Sequence, residues 1–277
     1  MGIHLPLKAT QVARDGDGMI EVFTWEPNAN SGKPLFCLAE KQVPFTHHYI
    51  DMGQHEHFSP AFLEINPDGT IPAVVHDGFV MTESTPAMEY IDEAFEGPRL
   101  RPDDPRLRWR MRLIMRYMDN VVAPSLAMIA SNRLAAPRFA GRDPEELKRE
   151  LDKIPLPERR ASWEKLMFNS TPPEDLAESA RRISEAIVRF EQWLGETRWL
   201  AGDAFSLADI NVFATFYGLP GSYADEVNDA ATPNLMGWLR SCHARAGLQK
   251  AFTMGRGFIG QRAADVREML GVRECAA

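Results

Sequence analysis

The stretch Asn66-Pro67-Asp68-Gly69-Thr70-Ile71-Pro72-Ala73, followed by Asp77-Gly78 and by Thr82-Glu83-Ser84, restricts the fold of this chain more than any other segment. Asn-Pro-Asp-Gly is turn chemistry, in which Pro67 pre-sets its φ and Gly69 is free to take φ > 0. Ile71 to Val75 is then a short apolar run that reads as a strand. Pro72 cannot donate to a sheet ladder, so it belongs at a strand start, an edge or a cis turn. In a cis Ile71-Pro72 arrangement the Ile71 N–H and C=O stay free to pair with an extended peptide, as an added strand would. Asp77-Gly78 is a two-residue hairpin signal that returns Phe79 to Met81 alongside. Thr82-Glu83-Ser84 opens a helix, Thr85 to Phe95, whose first N–H groups attract a carboxylate. Each piece alone is an ordinary turn, hairpin or cap. In this order they describe a ligand site.

The flanking pattern supplies a fold for it. Ile20, Val22 and Phe23 mark a strand, Pro27-Asn28-Ala29-Asn30 a turn, and Ser31 to Gln42 a helix with Leu35, Leu38 and Ala39 on one face, ended by Val43-Pro44. A second strand is expected over Phe45 to Ile50. The order β-α-β, irregular segment, hairpin and helix is the thioredoxin-like arrangement around one mixed sheet. Pro98, Pro102 and Pro105 mark a linker, after which the long periodic segments are helical. Arg106 to about Leu134 carries Met111, Met115, Met118 and Val122 at helical spacing, and Asp175 to Glu196 carries Leu176, Ala180, Ile183, Ile187, Phe190 and Leu194. Between them, Ile154-Pro155-Leu156-Pro157 and a polar stretch to Pro173 read as an excursion from the core. The fold class is therefore α/β plus all-α. A thioredoxin-like domain is expected over 19–97, a linker over 98–105 and an all-helical domain over 106–260. Residues 1–18 are expected to be a disordered leader and 261–277 a C-terminal tail.

A chain of 277 residues has room for two such domains. Its net charge of −8, from Lys+Arg 31 against Asp+Glu 39, gives no footprint for nucleic acid or an anionic membrane. No apolar run approaches the roughly 18 residues of a transmembrane helix, and the first 18 residues lack the apolar core of a signal peptide. A cytoplasmic location is expected. Cys37, Cys242 and Cys275 have neither metal spacing nor even pairing, so reduced thiols are the default. Phe205-Ser206-Leu207-Ala208-Asp209-Ile210 reads as a carboxylate capping box with a hydrophobic staple, which makes Asp209 structural rather than a general base.

From Met19 to about Phe258 the chain resembles the glutathione transferases. The first half is similar to their thioredoxin-like glutathione domain, and Phe205 to Ile210 to the capping box of their helical domain. Asn28 to Leu35, Thr82 to Thr85, Leu100 to Pro105, Ile154 to Glu158 and the stretch from Gly218 through Asn228 to Trp238 resemble the bacterial lignin β-aryl-etherase branch. The resemblance implies that Glu83 and Ser84 hold the γ-glutamyl ammonium and carboxylate of glutathione, that Ile71 pairs the cysteinyl backbone and that Pro72 is cis. It implies that His57 meets the glycyl carboxylate, although His47, His48, His55 and His57 read equally as exposed polar residues near a strand end. No carboxylate or cysteine completes a metal-ligand spacing around them, so neither metal nor nucleotide is expected. A homodimer is implied by the family alone.

The chemistry then comes from the glutathione thiol, mostly protonated at neutral pH because a thiol of this type has a pKa of about 8.5. Asn30 or Ser31, at the start of the first helix, can donate to the sulfur while the helix end adds positive potential. Such residues are commonly helix caps. The family register favours Ser31 as the catalytic donor with Asn30 beside it. No tyrosine stands at the end of the first strand, which argues against tyrosine-using classes, and no cysteine between Trp25 and Lys33, which argues against disulfide chemistry. The implied reaction is displacement of a phenolate from a β-aryloxy-α-keto phenylpropanoid by glutathione thiolate. A general glutathione transferase or glutathione-dependent isomerase acting on another aromatic electrophile, or a non-catalytic glutathione-binding scaffold, stays open as an alternative. Met111, Met115, Met118, Tyr117, Trp163 and Phe216 are candidate acceptor walls, though a Met stripe at helical spacing is ordinarily core.

Overall fold

The computed structural model describes residues 19–257 and 263–272; the expected leader over 1–18 lies outside the described residues. Four strands, β1 (Ile20–Thr24), β2 (Phe45–Tyr49), β3 (Ala73–His76) and β4 (Phe79–Met81), form one sheet in the order β2-β1-β3-β4. β1 is parallel to β2 and antiparallel to β3, which is antiparallel to β4. Helices α1 (Ala29–Lys41), α2 (Pro60–Ile65) and α3 (Ser84–Ala94) complete this domain. Strand alternation assigns the faces: Ile20, Val22 and Val74 join α1 and α3 in the main core, while Phe23, Ala73 and Val75 pack with Phe62 of α2. The hairpin at Asp77-Gly78 has φ of 50° and 74°, the left-handed pair a tight two-residue loop needs.

Among the described residues ten α-helices follow: α4 (Pro105–Tyr117), α5 (Ala123–Leu134), α6 (Pro144–Leu151), α7 (Pro157–Met167), α8 (Pro173–Glu196), α9 (Leu207–Phe216), α10 (Leu219–Ser222), α11 (Pro233–His243), α12 (Ala246–Phe252) and α13 (Ala263–Met269). The single helix expected over Arg106 to Leu134 is interrupted by a π-helical turn at Met118–Val122. Pro124, at the start of α5, has no N–H to give and its ring crowds the carbonyl four residues back, so the turn before it widens. The expected excursion carries α6 and α7, and its Leu147, Leu151, Ile154 and Met167 form a small core of their own, against which Phe58 of the first domain packs.

The linker is tied down at Leu100, whose N–H donates to Asp92 Oδ1 at 2.9 Å and whose carbonyl accepts from the Leu207 N–H at 2.8 Å. The capping box forms at the head of α9. Asp209 accepts from the Ser206 N–H and hydroxyl, the Leu200 N–H and the Trp238 indole, all at 2.9–3.0 Å. Four donors occupy the carboxylate, in keeping with a structural role. Within the segment expected to be a tail, α13 places Val266 and Leu270 in the main core. One turn with apolar residues at i and i+4 is too short to register as periodicity. No helix among the described residues is long and apolar enough to cross a membrane.

Candidate functional site

The first turn of α1 begins beside the end of β1. Ser31 is nearly buried, and its hydroxyl oxygen accepts the Trp25 N–H at 3.2 Å. Its hydroxyl hydrogen is left to be donated. Asn30 is exposed, and its Oδ1 accepts from Ser84 Oγ at 3.4 Å, which ties the heads of α1 and α3 together. No acidic side chain lies in the first turn of α1, so the helix itself places no carboxylate against its positive end.

The Asn66–Pro72 segment leads into β3. Asn66 is fully buried, and its amide nitrogen donates to the Thr70 carbonyl at 2.6 Å and its Oγ1 at 2.9 Å. Gly69 has a φ of 60°, and a Cβ there would lie 2.9 Å from Phe58 Cδ1 and 3.2 Å from the His57 carbonyl. Glycine is needed on both counts. The Ile71-Pro72 peptide is cis, and the Ile71 N–H and C=O stand outside the β1–β3 and β3–β4 ladders, which begin at Ala73. Pro72 itself is buried.

Glu83 is the N-cap residue of α3 and Ser84 its first helical residue. Burial raises the Glu83 pKa, the Asp119 charge adds to this, Lys33 opposes it and Asp68 adds again. Lys33, 1% exposed, donates to Asp119 Oδ1 at 2.6 Å and to Thr85 Oγ1 at 3.4 Å. The Asn211 amide nitrogen of α9 donates to Thr85 Oγ1 at 2.9 Å and Asp119 Oδ1 at 3.1 Å. Burial lowers the Lys33 pKa, with Asp119 acting the other way. Asp119 and Asp68 thus act on Glu83, with one buried ammonium, Lys33, beside Asp119, and the surplus negative charge suits a ligand ammonium. Sequence reasoning missed Lys33 and Asp119. Lys33 carries a faint signal, a cation inside an apolar helix; Asp119 carries none.

His57, 2% exposed, lies in the short turn Glu56–Phe58, its ring centroid 3.8 Å from that of Phe58. Burial lowers its pKa to about 4, helped by the Arg159 and His55 charges, so it is neutral near pH 7. The other histidines are placed differently. His47 pairs with Thr24 Oγ1 and His48 with Glu21 Oε2, both at 2.7 Å, and His55 is exposed. Among the described residues no three His, Cys, Asp or Glu side chains converge as metal ligands. Of the candidate acceptor walls, Met111, Met115, Met118 and Phe216 are core, Trp163 packs on Phe139 in the insert, and Tyr117 is half-buried beside Phe190 and Trp193.

Of the candidate residues, Asn30 and Ser84 meet at the heads of α1 and α3 with Ser31 and Glu83 next to them in sequence, Ile71 and Pro72 form the cis turn, and His57 lies behind the Gly69 turn. A free peptide edge, a negative cluster and two helix N-termini are together a donor set that fits glutathione. Residues 29–94 match the family model of the glutathione S-transferase N-terminal domain and residues 144–246 that of the C-terminal domain. The chain belongs to the glutathione S-transferase family, enzymes that use glutathione as co-substrate. It is 34% identical to the protein LigF of Sphingobium sp. strain SYK-6 over 84% of this chain and 93% of that one. The crystal structure of the β-etherase LigF from that strain superposes with a TM-score of 0.81 over 86% of this chain and 100% of the other, at 33% identity. Glutathione S-transferase F14 of Arabidopsis thaliana is 24% identical over 84% of this chain and 81% of its own. Glutathione transferase F7 of Populus trichocarpa, 23% identical, shares the fold with a TM-score of 0.66 over 87% of this chain and all of that one.

Proposed function

We propose that this transferase cleaves β-aryl ethers: glutathione thiolate displaces a phenolate from the β-carbon of a lignin-derived β-aryloxy-α-keto phenylpropanoid. The observation that carries the chemistry is the first turn of α1, where Ser31 keeps a hydroxyl hydrogen to give beside a helix end with no carboxylate of its own. The likeness to the β-etherase LigF over nearly the whole of that protein supports the choice of substrate.

Ser31, with Asn30 beside it, donates to the sulfur and stabilises the thiolate. Glu83, with Asp119 and Asp68 behind it, takes the γ-glutamyl ammonium, while Ser84 and the first N–H groups of α3 take the γ-glutamyl α-carboxylate. Ile71, held by the Pro72 turn, pairs the cysteinyl backbone, and His57 lies toward the glycyl end. The ketone next to the reacting carbon accelerates displacement. The C–S bond forms as the C–O bond breaks, the electron pair leaves on the aryloxide, and water supplies its proton. Positioning and thiolate formation are what the protein must add.

A cytoplasmic homodimer goes with this reading. Cys37 and Cys242 are buried free thiols, and Trp109 and Leu113 of α4 are exposed together at 66% and 46%. Incubating a racemic β-aryloxy ketone with enzyme and glutathione should release phenol and leave a β-glutathionyl ketone. Attack opposite the leaving group inverts the β-carbon, and one enantiomer should disappear first on a chiral column. No phenol above the glutathione-only control, with good conjugation of a chloronitrobenzene, would reject ether cleavage and keep the transferase.

A further inference from the structure

The insert α6–α7 presents several arginines, some of them held by neighbours. Arg160 donates from Nε and Nη2 to the Ile154 carbonyl at 3.2 and 2.8 Å, and Arg142, just before α6, is held by Glu146 and Glu150. Arg159 differs. Its Nε is buried without a hydrogen-bond partner, and it makes no ion pair among the described residues. Burial lowers its pKa, with no carboxylate acting against that. A guanidinium with its Nε buried and unpaired has a donor to give to an anion. Its charge acts on His57, whose ring Nδ1 is also buried without a partner.

The two orphaned groups arrive from different domains, Arg159 on α7 and His57 on the turn Glu56–Phe58. The packing of Phe58 on Leu147, Leu151, Ile154 and Met167 keeps them together. The same turn abuts Gly69, and two residues further on the Ile71 backbone edge begins. The unpaired groups therefore lie by the turn from which that edge starts.

We propose that Arg159, from the helical insert, is a binding residue for the glycyl carboxylate of glutathione, with the His57 imidazole as its uncharged partner. The proposal rests on the glutathione site described above and changes the part played there by His57. Because His57 is neutral at physiological pH, it can donate a hydrogen bond but brings no charge. The guanidinium brings the charge. The ligand then meets opposite charge at both ends, an ammonium on the carboxylates and a carboxylate on Arg159, and its binding clasps α7 to the first domain.

Calorimetry on the full chain tests this with two probes, glutathione and its glycyl monoethyl ester, in which only that carboxylate is blocked. The unaltered protein should bind glutathione about ten- to a hundredfold more tightly than the ester, the range for a charge-assisted bond. Arg159→Met, with its melting temperature measured alongside, should lose that preference by weakening glutathione alone, and Arg159→Lys should restore part of it. Equal affinity of the unaltered protein for both probes would overturn the proposal without reference to any variant. So would Arg159→Met binding glutathione as before, or weakening both probes alike, which is the mark of a structural role. If neither probe bound the unaltered protein, the glutathione site itself would fall, and this assignment with it.

Discussion

The Trp25 N–H occupies one lone pair of Ser31 Oγ at 3.2 Å, which leaves the hydroxyl hydrogen to be given elsewhere. A donor in that position lowers a thiol pKa by stabilising the charged form. Ser31→Ala is therefore expected to lower turnover near neutral pH by about tenfold, the lower end for a hydrogen bond to a charged group. Asn30 and the helix end remain, so activity should fall and not vanish. The sign of the pH dependence follows: the bound thiol titrates higher in the variant, and its rate should approach that of the parent as pH rises and the thiolate forms unaided. A rate profile whose midpoint did not move in Ser31→Ala would remove the hydroxyl from the mechanism. Ser31, Glu83 and Ser84 were legible as candidates because capping chemistry and helix starts are written within a few residues. Lys33, Asp119 and Arg159 were not, since each matters through a partner far along the chain. The Lys33–Asp119 pair spans 86 positions.

At the scale of elements, the site depends on how α1 is held. Every residue from Ser31 to Lys41 is buried, between the sheet and α3 on one side and α9 and α12 on the other. Its contact with α12 is close enough to need a glycine. A Cβ at Gly247 would meet Glu40 Oε1 at 2.7 Å, the Glu40 backbone nitrogen at 2.8 Å and the Ala39 carbonyl carbon at 2.9 Å. Two of those atoms are backbone and cannot swing aside. Arg245, just before α12, binds Glu40 Oε2 at 2.6 Å and resists any sliding. Gly247→Ala should thus cost about 1–3 kcal/mol, as overpacking typically does, seen as a fall of several degrees in thermal unfolding. An unchanged melting curve would mean that the two helices separate more easily than this geometry allows. The π turn before Pro124 is the other element-scale device, because Asp119, which pairs with Lys33, lies within it. Pro124 was visible in the sequence, but whether a proline kinks, ends or widens a helix depends on what packs around it.

Across the whole molecule the core is continuous: Val22 and Val74 of the sheet, Leu35 and Leu38 of α1, and Phe213, Trp238 and Leu270 of the helical domain belong to one cluster. The segment expected to be a tail contributes to it through α13, with Val266 and Leu270 fully buried and the Leu270 carbonyl accepting from Arg240 Nε at 2.8 Å. Removing residues 263–277 should therefore destabilise the protein, at roughly 1.5–3 kcal/mol for each large apolar side chain lost from the core. A truncated chain melting with the full one would show that this helix adds nothing. By itself the sequence determined the β-α-β order, the Asp77-Gly78 hairpin, the start of α3 and the capping box at Ser206 and Asp209, since propensity, turn chemistry and caps act over a few residues. Only the tertiary structure decided that Lys33 meets Asp119, that the Arg159 charge acts on His57 and that α13 joins the core. Those pairings follow from two domains closing on one another, and burial across such distances leaves no period or spacing along the chain to read.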